Sequence, residues 1–201
     1  MVNDLIKKFY EVFGDGGELR VFQAPGRVNL IGEHIDYCGG NVLPAALTMN
    51  TTVVVRKRDD KVIRLKATDL DIVVETTYDN APDLKGKLKW GDYQLGVALE
   101  LIRDGYDLVC CDMLFHDEVP HGGGLSSSAA IEVSTALALL SLSGESDIDM
   151  VYVAKVSQRA EHNFIGVKCG IMDQFASAMG KENCAVHLNC DTLEYERIPL
   201  D

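Results

Sequence analysis

The sequence is most strongly constrained by residues 120–130 (PHGGGLSSSAA), where three consecutive glycines precede a long apolar segment. Glycine tolerates the backbone of a tight loop and lets N–H groups approach an anion without a Cβ atom in the way. The segment 125–142 carries Ala, Leu, Ile and Val on nearly all sides, which predicts a buried helix. A glycine-rich loop that runs into the positive end of a helix dipole is suited to binding phosphate. The alternative is a structural turn, since serines also cap helices that bind no ligand.

Two better-known phosphate-binding patterns do not describe this loop. The Walker motif requires Gly-Lys followed by Ser or Thr, and the chain contains no such triplet. No G-x-G-x-x-G sequence follows a predicted strand with an acidic residue at the dinucleotide-binding distance. The loop therefore belongs to another type.

The charge balance limits the classes of partner. A formal net charge of −12 without a basic run argues against nucleic acid, which requires a cationic face. An acidic protein that binds a polyphosphate must neutralise it locally, so we expect Mg²⁺. The first residues lack the basic-then-apolar order of a secretory signal, and no apolar stretch is long enough to span a bilayer. We therefore expect a cytoplasmic protein without a membrane partner, whose six cysteines, free of C-x-x-C pairs, are reduced thiols.

Hydrophobic periodicity predicts one α+β domain over residues 1–201, with a β-rich first half and a helix-rich second half. Helices are predicted at 4–13, 93–103, 125–142, 150–164 and 171–179. Strands are predicted at 21–23, 28–31, 52–56, 62–66, 72–76, 108–115, 184–189 and 194–198. No repeat or linker divides the chain, and residues 145–149 are typical of a polar turn between helices.

Polar residues are unusually dense in residues 24–40 (APGRVNLIGEHIDYCGG) for a segment that contains a strand. Glu33, His34 and Asp36 follow the predicted strand end, where donors and acceptors can converge on a hydroxyl-rich ligand such as a sugar. The alternative is a salt-bridged surface that also includes Arg27.

A third segment, residues 160–174 (AEHNFIGVKCGIMDQ), contains two carboxylates twelve positions apart. Glu161 can end one helix and Asp173 can begin the next, so both can face one cleft. On composition alone, Asp173 is equally a helix-start charge favoured by the dipole, and Glu161 an exposed helix carboxylate.

The three segments together, in this order, resemble the galactokinases, within the GHMP family of small-molecule kinases that also includes homoserine, mevalonate and phosphomevalonate kinases. Residues 26–37 resemble the galactokinase signature and residues 122–130 the ATP loop of the wider family. The resemblance spans residues 20–190. It implies the two-layer α+β fold of the GHMP kinase N-terminal domain (ribosomal protein S5 domain 2-like), with a left-handed crossover.

The resemblance also implies roles for individual residues. The implied reaction transfers a phosphoryl group from MgATP to the C1 hydroxyl of galactose or a close hexose. Asp173 matches the base that accepts the hydroxyl proton, and Arg27 matches its partner, which keeps the carboxylate ionised. The magnesium ligands are Ser128 and Glu161. The triphosphate loop comprises Gly122, Gly123, Gly124, Leu125, Ser126, Ser127 and Ser128. The sugar-binding positions are Arg27, Glu33, His34, Ile35, Asp36, Gly170 and Asp173.

Two departures from the family pattern leave alternatives open. Cys38 stands where many galactokinases have Asn, in a variant similar to N-acetylgalactosamine kinases, so either sugar is compatible with the sequence. The chain ends at Asp201, so the resemblance implies that a C-terminal domain carrying one wall of the cleft is absent and that the exposed face self-associates. A sugar-sensing relative and an inactive stand-alone domain are the alternatives. The sensors lack the Ser-Ala step of the loop, and here Ser128-Ala129 is intact.

Overall fold

The computed structural model describes residues 2–200; Met1 and Asp201, which bound the predicted domain, lie outside the described residues. Its helices are α1 (Val2–Phe13), α2 (Gly91–Arg103), α3 (Ser127–Leu142), α4 (Met150–Ala160) and α5 (Met172–Met179). Its strands are β1 (Leu19–Asn29), β2 (Asn41–Val42), β3 (Pro44–Lys57), β4 (Ile63–Ala67), β5 (Val73–Thr76), β6 (Cys111–Asp117), β7 (Cys184–Asn189) and β8 (Tyr195–Pro199).

The strands of this part of the chain form one mixed sheet. The long strand β3 pairs antiparallel with β1, β6 and β7. Strand β4 pairs antiparallel with β5 and parallel with β6, so the chain must cross over between β4 and β6 through β5 and α2. At the other side, β7 pairs with β2 and β8. The handedness of the crossover stays a prediction.

Successive residues of β3 show how the sheet is covered on both faces. Val53 and Val55 are fully buried in the large core that the sheet shares with α2, α3 and α4. Val54, between them, is buried with Leu114 and Phe9 beneath α1. The alternation follows from the two-residue period of a strand. The predicted α+β class and its layer of helices on a sheet are confirmed, and α1 covers the opposite face.

The predicted helices agree with the structure to within a few residues, except that 150–164 is divided. Helix α4 ends at Ala160, and a π-helical turn over Glu161–Ile165 follows it directly. A π-turn widens the helix by one residue and is often found at functional sites.

Several predicted strand limits are wrong. The segments 21–23 and 28–31 form the single strand β1, because Pro25 and Gly26, which resemble strand breakers, lie at a register shift against β3. The segment 52–56 is the end of a much longer strand, and 108–115 becomes a strand only from Cys111. Strand β2 was not predicted. Within residues 2–200 no helix combines the length and apolar character needed to cross a bilayer.

Candidate active site

Arg27 and Asp173 form an ion pair where three elements meet. Arg27 follows the register shift in β1, and Asp173 lies in the first turn of α5. Nε of Arg27 donates to Oδ1 of Asp173 at 2.8 Å, and Nη2 lies 2.6 Å from the same oxygen as an ion-pair contact. Nη1 of Arg27 donates to the carbonyl oxygen of Gly124, at 2.6 Å. The side chains are 13% and 30% exposed, so the charged pair is sheltered but accessible.

The predicted phosphate loop packs directly against β1. The backbone N–H of Arg27 donates to the carbonyl of Leu125 at 3.0 Å. A Cβ atom at Gly26 would lie 2.6 Å from that same carbonyl oxygen, so only glycine permits this approach. Gly122 and Gly124 have φ of +71° and +69°, and apart from their chain neighbours no heavy atom of residues 2–200 lies within 4 Å of a Cβ built at either position. The loop therefore packs tightly against β1 at Leu125, whereas the space beside Gly122 and Gly124 is open.

Ser126 connects this loop to the ion pair. It is the N-cap of α3 and has left-handed backbone angles, φ 60° and ψ 46°. Its hydroxyl donates to Oδ2 of Asp173 at 2.5 Å. Ser127 and Ser128 begin the helix and are half-buried. The structure thus brings together Arg27, Asp173 and the loop, as the sequence predicted.

Two of the predicted sugar-binding residues, Asp36 and Gly170, are in close contact. A Cβ atom at Gly170 would lie 2.0 Å from Oδ2 of Asp36, so the carboxylate occupies the space that a side chain would fill. Asp36 and Gly170 are 134 positions apart in the sequence, and the fold places them in contact, while their role in sugar binding stays a prediction. Glu33 accepts a hydrogen bond from Nδ2 of Asn29 at 2.8 Å. Glu33, His34 and Ile35 are exposed in the loop before a 3₁₀ turn at Asp36–Cys38.

Glu161, one predicted magnesium ligand, is buried at the start of the π-helical turn. Its Oε2 accepts hydrogen bonds from Nε2 of Gln174 at 3.1 Å and from the Cys169 thiol at 2.8 Å. Burial and this hydrogen bond raise the pKa of the thiol. Within residues 2–200 no three His, Cys, Asp or Glu side chains converge as a metal site. The assignment of Ser128 and Glu161 as Mg²⁺ ligands stays a prediction; an ion held by these two residues would take its other ligands from phosphate oxygens and water.

Glu132 and Gln174 are site residues that the sequence analysis missed. Both are fully buried. Nε2 of Gln174 donates to Oε2 of Glu132 at 3.1 Å and to Oε2 of Glu161 at the same distance. Burial, followed by the charge of Glu161, raises the pKa of Glu132 well above its ordinary value. The sequence feature that could have revealed Glu132 is that it is the single acidic residue in the largely apolar segment of α3.

A second missed feature is a pocket of about 220 Å³ beside the phosphate loop. Trp90, Phe115 and Ile131 contribute apolar walls, and His121, at the start of the loop, lies at its edge. Gln94 also lines it and is 2% exposed, and among residues 2–200 neither of its amide atoms finds a hydrogen-bond partner. An apolar pocket with a few unpaired polar groups is typical of a small-molecule site.

The glycine loop, Arg27 and Asp173 together provide groups for phosphate binding and for proton transfer. Backbone N–H groups at the start of α3 can bind phosphate oxygens, while Asp173 offers a carboxylate that can accept a proton. The guanidinium of Arg27 stabilises the negative charge of that carboxylate and stays close to the loop.

Two family models match the chain, one after the other. The galactokinase galactose-binding signature matches residues 7–57, which include Arg27 and Asp36. The model of the GHMP kinases N terminal domain matches residues 92–181, which include the glycine loop, Glu161 and Asp173. Each model therefore contains one member of the Arg27–Asp173 pair.

Curated relatives extend the similarity to the whole chain. The galactokinase of Clostridium tetani is 45% identical over 202 residues, covering 100% of this chain and 50% of that protein. The galactokinase of Bacillus subtilis is 45% identical over 196 residues, covering 96% and 50%. The chain spans about half the length of the curated relatives it matches.

Solved structures give the same result for the fold. The galactokinase of Lactococcus lactis, complexed with galactose, has a TM-score of 0.95 and 38% identity, covering 100% of this chain and 52% of that one. The mevalonate kinase of Methanococcus jannaschii has a TM-score of 0.74 and 19% identity, covering 92% and 57%. The second likeness concerns the fold alone.

Proposed function

Because the chain belongs to the GHMP kinases and has the fold of their N-terminal domain, we propose that it binds MgATP and galactose for transfer of the γ-phosphoryl group to the sugar C1 hydroxyl. The observation that carries the proposal is the ion pair of Arg27 and Asp173 against the phosphate loop. The pair places a proton acceptor beside the loop proposed to hold the triphosphate.

The nucleotide is proposed to lie along the loop and the Trp90 pocket. In the described part of the chain, the space that a Cβ atom would occupy at Gly122 and Gly124 is open, and the N-terminus of α3 follows directly. A flat, apolar purine suits the walls formed by Trp90 and Ile131. The unpaired amide of Gln94 would supply hydrogen bonds to the edge of the base.

Ser128 and Glu161 would hold Mg²⁺, both with hard oxygen atoms. The bound ion neutralises charge on the triphosphate in reactions of this class. Cys169 and Gln174 already fix one oxygen of Glu161, which limits the orientations available to the carboxylate.

Galactose is proposed to bind across β1 and α5. The relative from Lactococcus lactis is complexed with this sugar, and the close approach of Asp36 to Gly170 is present here. The C1 hydroxyl would donate to Asp173, which accepts its proton as the oxygen attacks the γ-phosphorus. Arg27 would stabilise the charge that develops, since phosphoryl transfer depends mainly on alignment and electrostatics.

N-acetylgalactosamine is the second candidate acceptor. Cys38, which stands where many galactokinases have Asn, is exposed as the last residue of the Asp36–Cys38 turn, so the sequence variant similar to N-acetylgalactosamine kinases supports this candidate. A role as a sugar sensor without turnover is the alternative from another functional class, and the intact Ser128-Ala129 step argues against it.

A coupled ATP assay on the 201-residue chain tests the proposal, with galactose, N-acetylgalactosamine and no sugar in parallel. We expect ADP release that depends on galactose. Equal ADP release with and without sugar would contradict sugar phosphorylation. Sugar binding without ADP release would instead identify a binding domain that is catalytically incomplete.

A further inference from the structure

The two carboxylate oxygens of Asp173 are held by different parts of the molecule. Oδ1 accepts the Nε–H of Arg27 and also lies 2.6 Å from Nη2, so the guanidinium covers this oxygen. Oδ2 accepts the hydroxyl of Ser126 and, among residues 2–200, makes no other hydrogen bond with a side chain or backbone group. Oδ2 is therefore the oxygen away from the guanidinium that an incoming hydroxyl can use, and a residue of the phosphate loop orients it.

The conformation of Ser126 is unusual for a helix N-cap. A serine at this position normally uses its hydroxyl to accept a hydrogen bond from the first turn of its own helix. Ser126 makes no such bond and donates to Asp173 instead. Its left-handed backbone is also unfavourable for a residue other than glycine. The first N–H groups of α3 are thereby left without a side-chain cap.

We propose that Ser126 is a positioning residue that links the phosphate loop to the base. Its hydroxyl donates to Oδ2 of Asp173, while the uncapped N–H groups of α3 donate to oxygens of the triphosphate. Nucleotide binding in the loop then changes the affinity for sugar at Asp173, and sugar binding changes the affinity for nucleotide by the same factor. The inference rests on the proposed function, which assigns the triphosphate to the loop and the acceptor hydroxyl to Asp173.

A thermal double-mutant cycle tests the Ser126–Asp173 bond without any ligand. Because the bond is charge-assisted, Ser126→Ala should lower the Tm by about 3–8 °C in the otherwise unchanged chain. In an Asp173→Ala background the same substitution should lower the Tm by less than about 2 °C. Equal losses in both backgrounds would overturn the proposal.

Calorimetric titration of galactose, with and without a non-hydrolysable MgATP analogue, tests the linkage. We expect a several-fold change in the galactose Kd of the unmodified chain and no change in Ser126→Ala. Ser126→Gly relieves the backbone strain, so it should have a higher Tm than Ser126→Ala while also losing the linkage. A merely structural role for Ser126 would leave the linkage intact, which would overturn the proposal.

Ser134→Ala is the matched control. Ser134 is also a buried serine of α3, but its hydroxyl donates only to the carbonyl of Ile131 within the helix. This variant should keep the linkage. If the unmodified chain does not bind galactose, the proposed function fails, and the thermal cycle alone then decides the role of Ser126.

Discussion

Arg27 and Asp173, 146 positions apart in the sequence, meet at one carboxylate oxygen, which accepts a hydrogen bond from Nε of Arg27 at 2.8 Å and lies 2.6 Å from Nη2. Strand β1 supplies the guanidinium and helix α5 the carboxylate. The same guanidinium also bonds the carbonyl of Gly124 in the phosphate loop. The pair therefore joins the two segments proposed to hold sugar and triphosphate.

Asp173→Asn should abolish sugar phosphorylation and leave ATP affinity nearly intact. The amide keeps the size of the side chain but cannot accept the hydroxyl proton as a carboxylate does. Turnover is measured by the coupled assay and ATP affinity by calorimetry. Unchanged turnover in this variant would refute the assignment of Asp173 as the base.

Gly170→Ala should weaken galactose binding by roughly tenfold or more, because the new methyl group would lie 2.0 Å from Oδ2 of Asp36 and displace that carboxylate. The measurement is a galactose titration followed by calorimetry. Gly91→Ala, at the start of α2, is the control, since its nearest contact is a side-chain carbon of Leu88 at 3.3 Å. An unchanged Kd in Gly170→Ala would remove Asp36 from the sugar site.

Trp90 should report nucleotide binding directly, because it is the single tryptophan of the chain and lines the proposed purine pocket. Stacking of a purine on the indole should change its fluorescence in a saturable manner as MgATP is added. Trp90→Leu should weaken ATP binding, measured by calorimetry, with little effect on galactose binding. Fluorescence that is insensitive to saturating MgATP would place the base elsewhere.

Glu132→Gln should stabilise the fold at neutral pH. Burial raises the pKa of Glu132 in the folded state above its unfolded value of about 4.3. The folded state thus binds the proton more tightly, and its stability falls as pH rises from about 4 through the folded-state pKa. The neutral amide avoids this loss, so we expect a gain of about 1–2 kcal/mol at pH 7 that disappears in acid.

Urea unfolding at several pH values measures this effect, and Glu100→Gln is its control. Glu100 is also buried in a helix but is paired with Arg159, at 3.2 Å. Its neutralisation should lower the free energy of unfolding at pH 7. Destabilisation of both variants by the same amount would show that Glu132 is stabilised as an anion.

The sequence was sufficient to predict the fold class, most of the helices and the segments that contain Arg27, Asp173 and the glycine loop, whose catalytic roles stay predictions. Arg27, Asp173 and the glycine loop belong to sequence motifs whose residue types indicate phosphate binding and proton transfer. The pairing of Glu132 with Gln174 and the Trp90 pocket were not predictable, because each depends on side chains brought together by tertiary packing. Strand β1 was divided in the prediction because local propensity at Pro25 gave no indication of its pairing with β3.

The most direct measurement of the central claim is ³¹P NMR of the chain incubated with MgATP and galactose. The account predicts a sugar 1-phosphate resonance that grows as ATP declines and is absent with Asp173→Asn. Inorganic phosphate as the only product, or a sugar phosphate that forms equally well with Asp173→Asn, would contradict it.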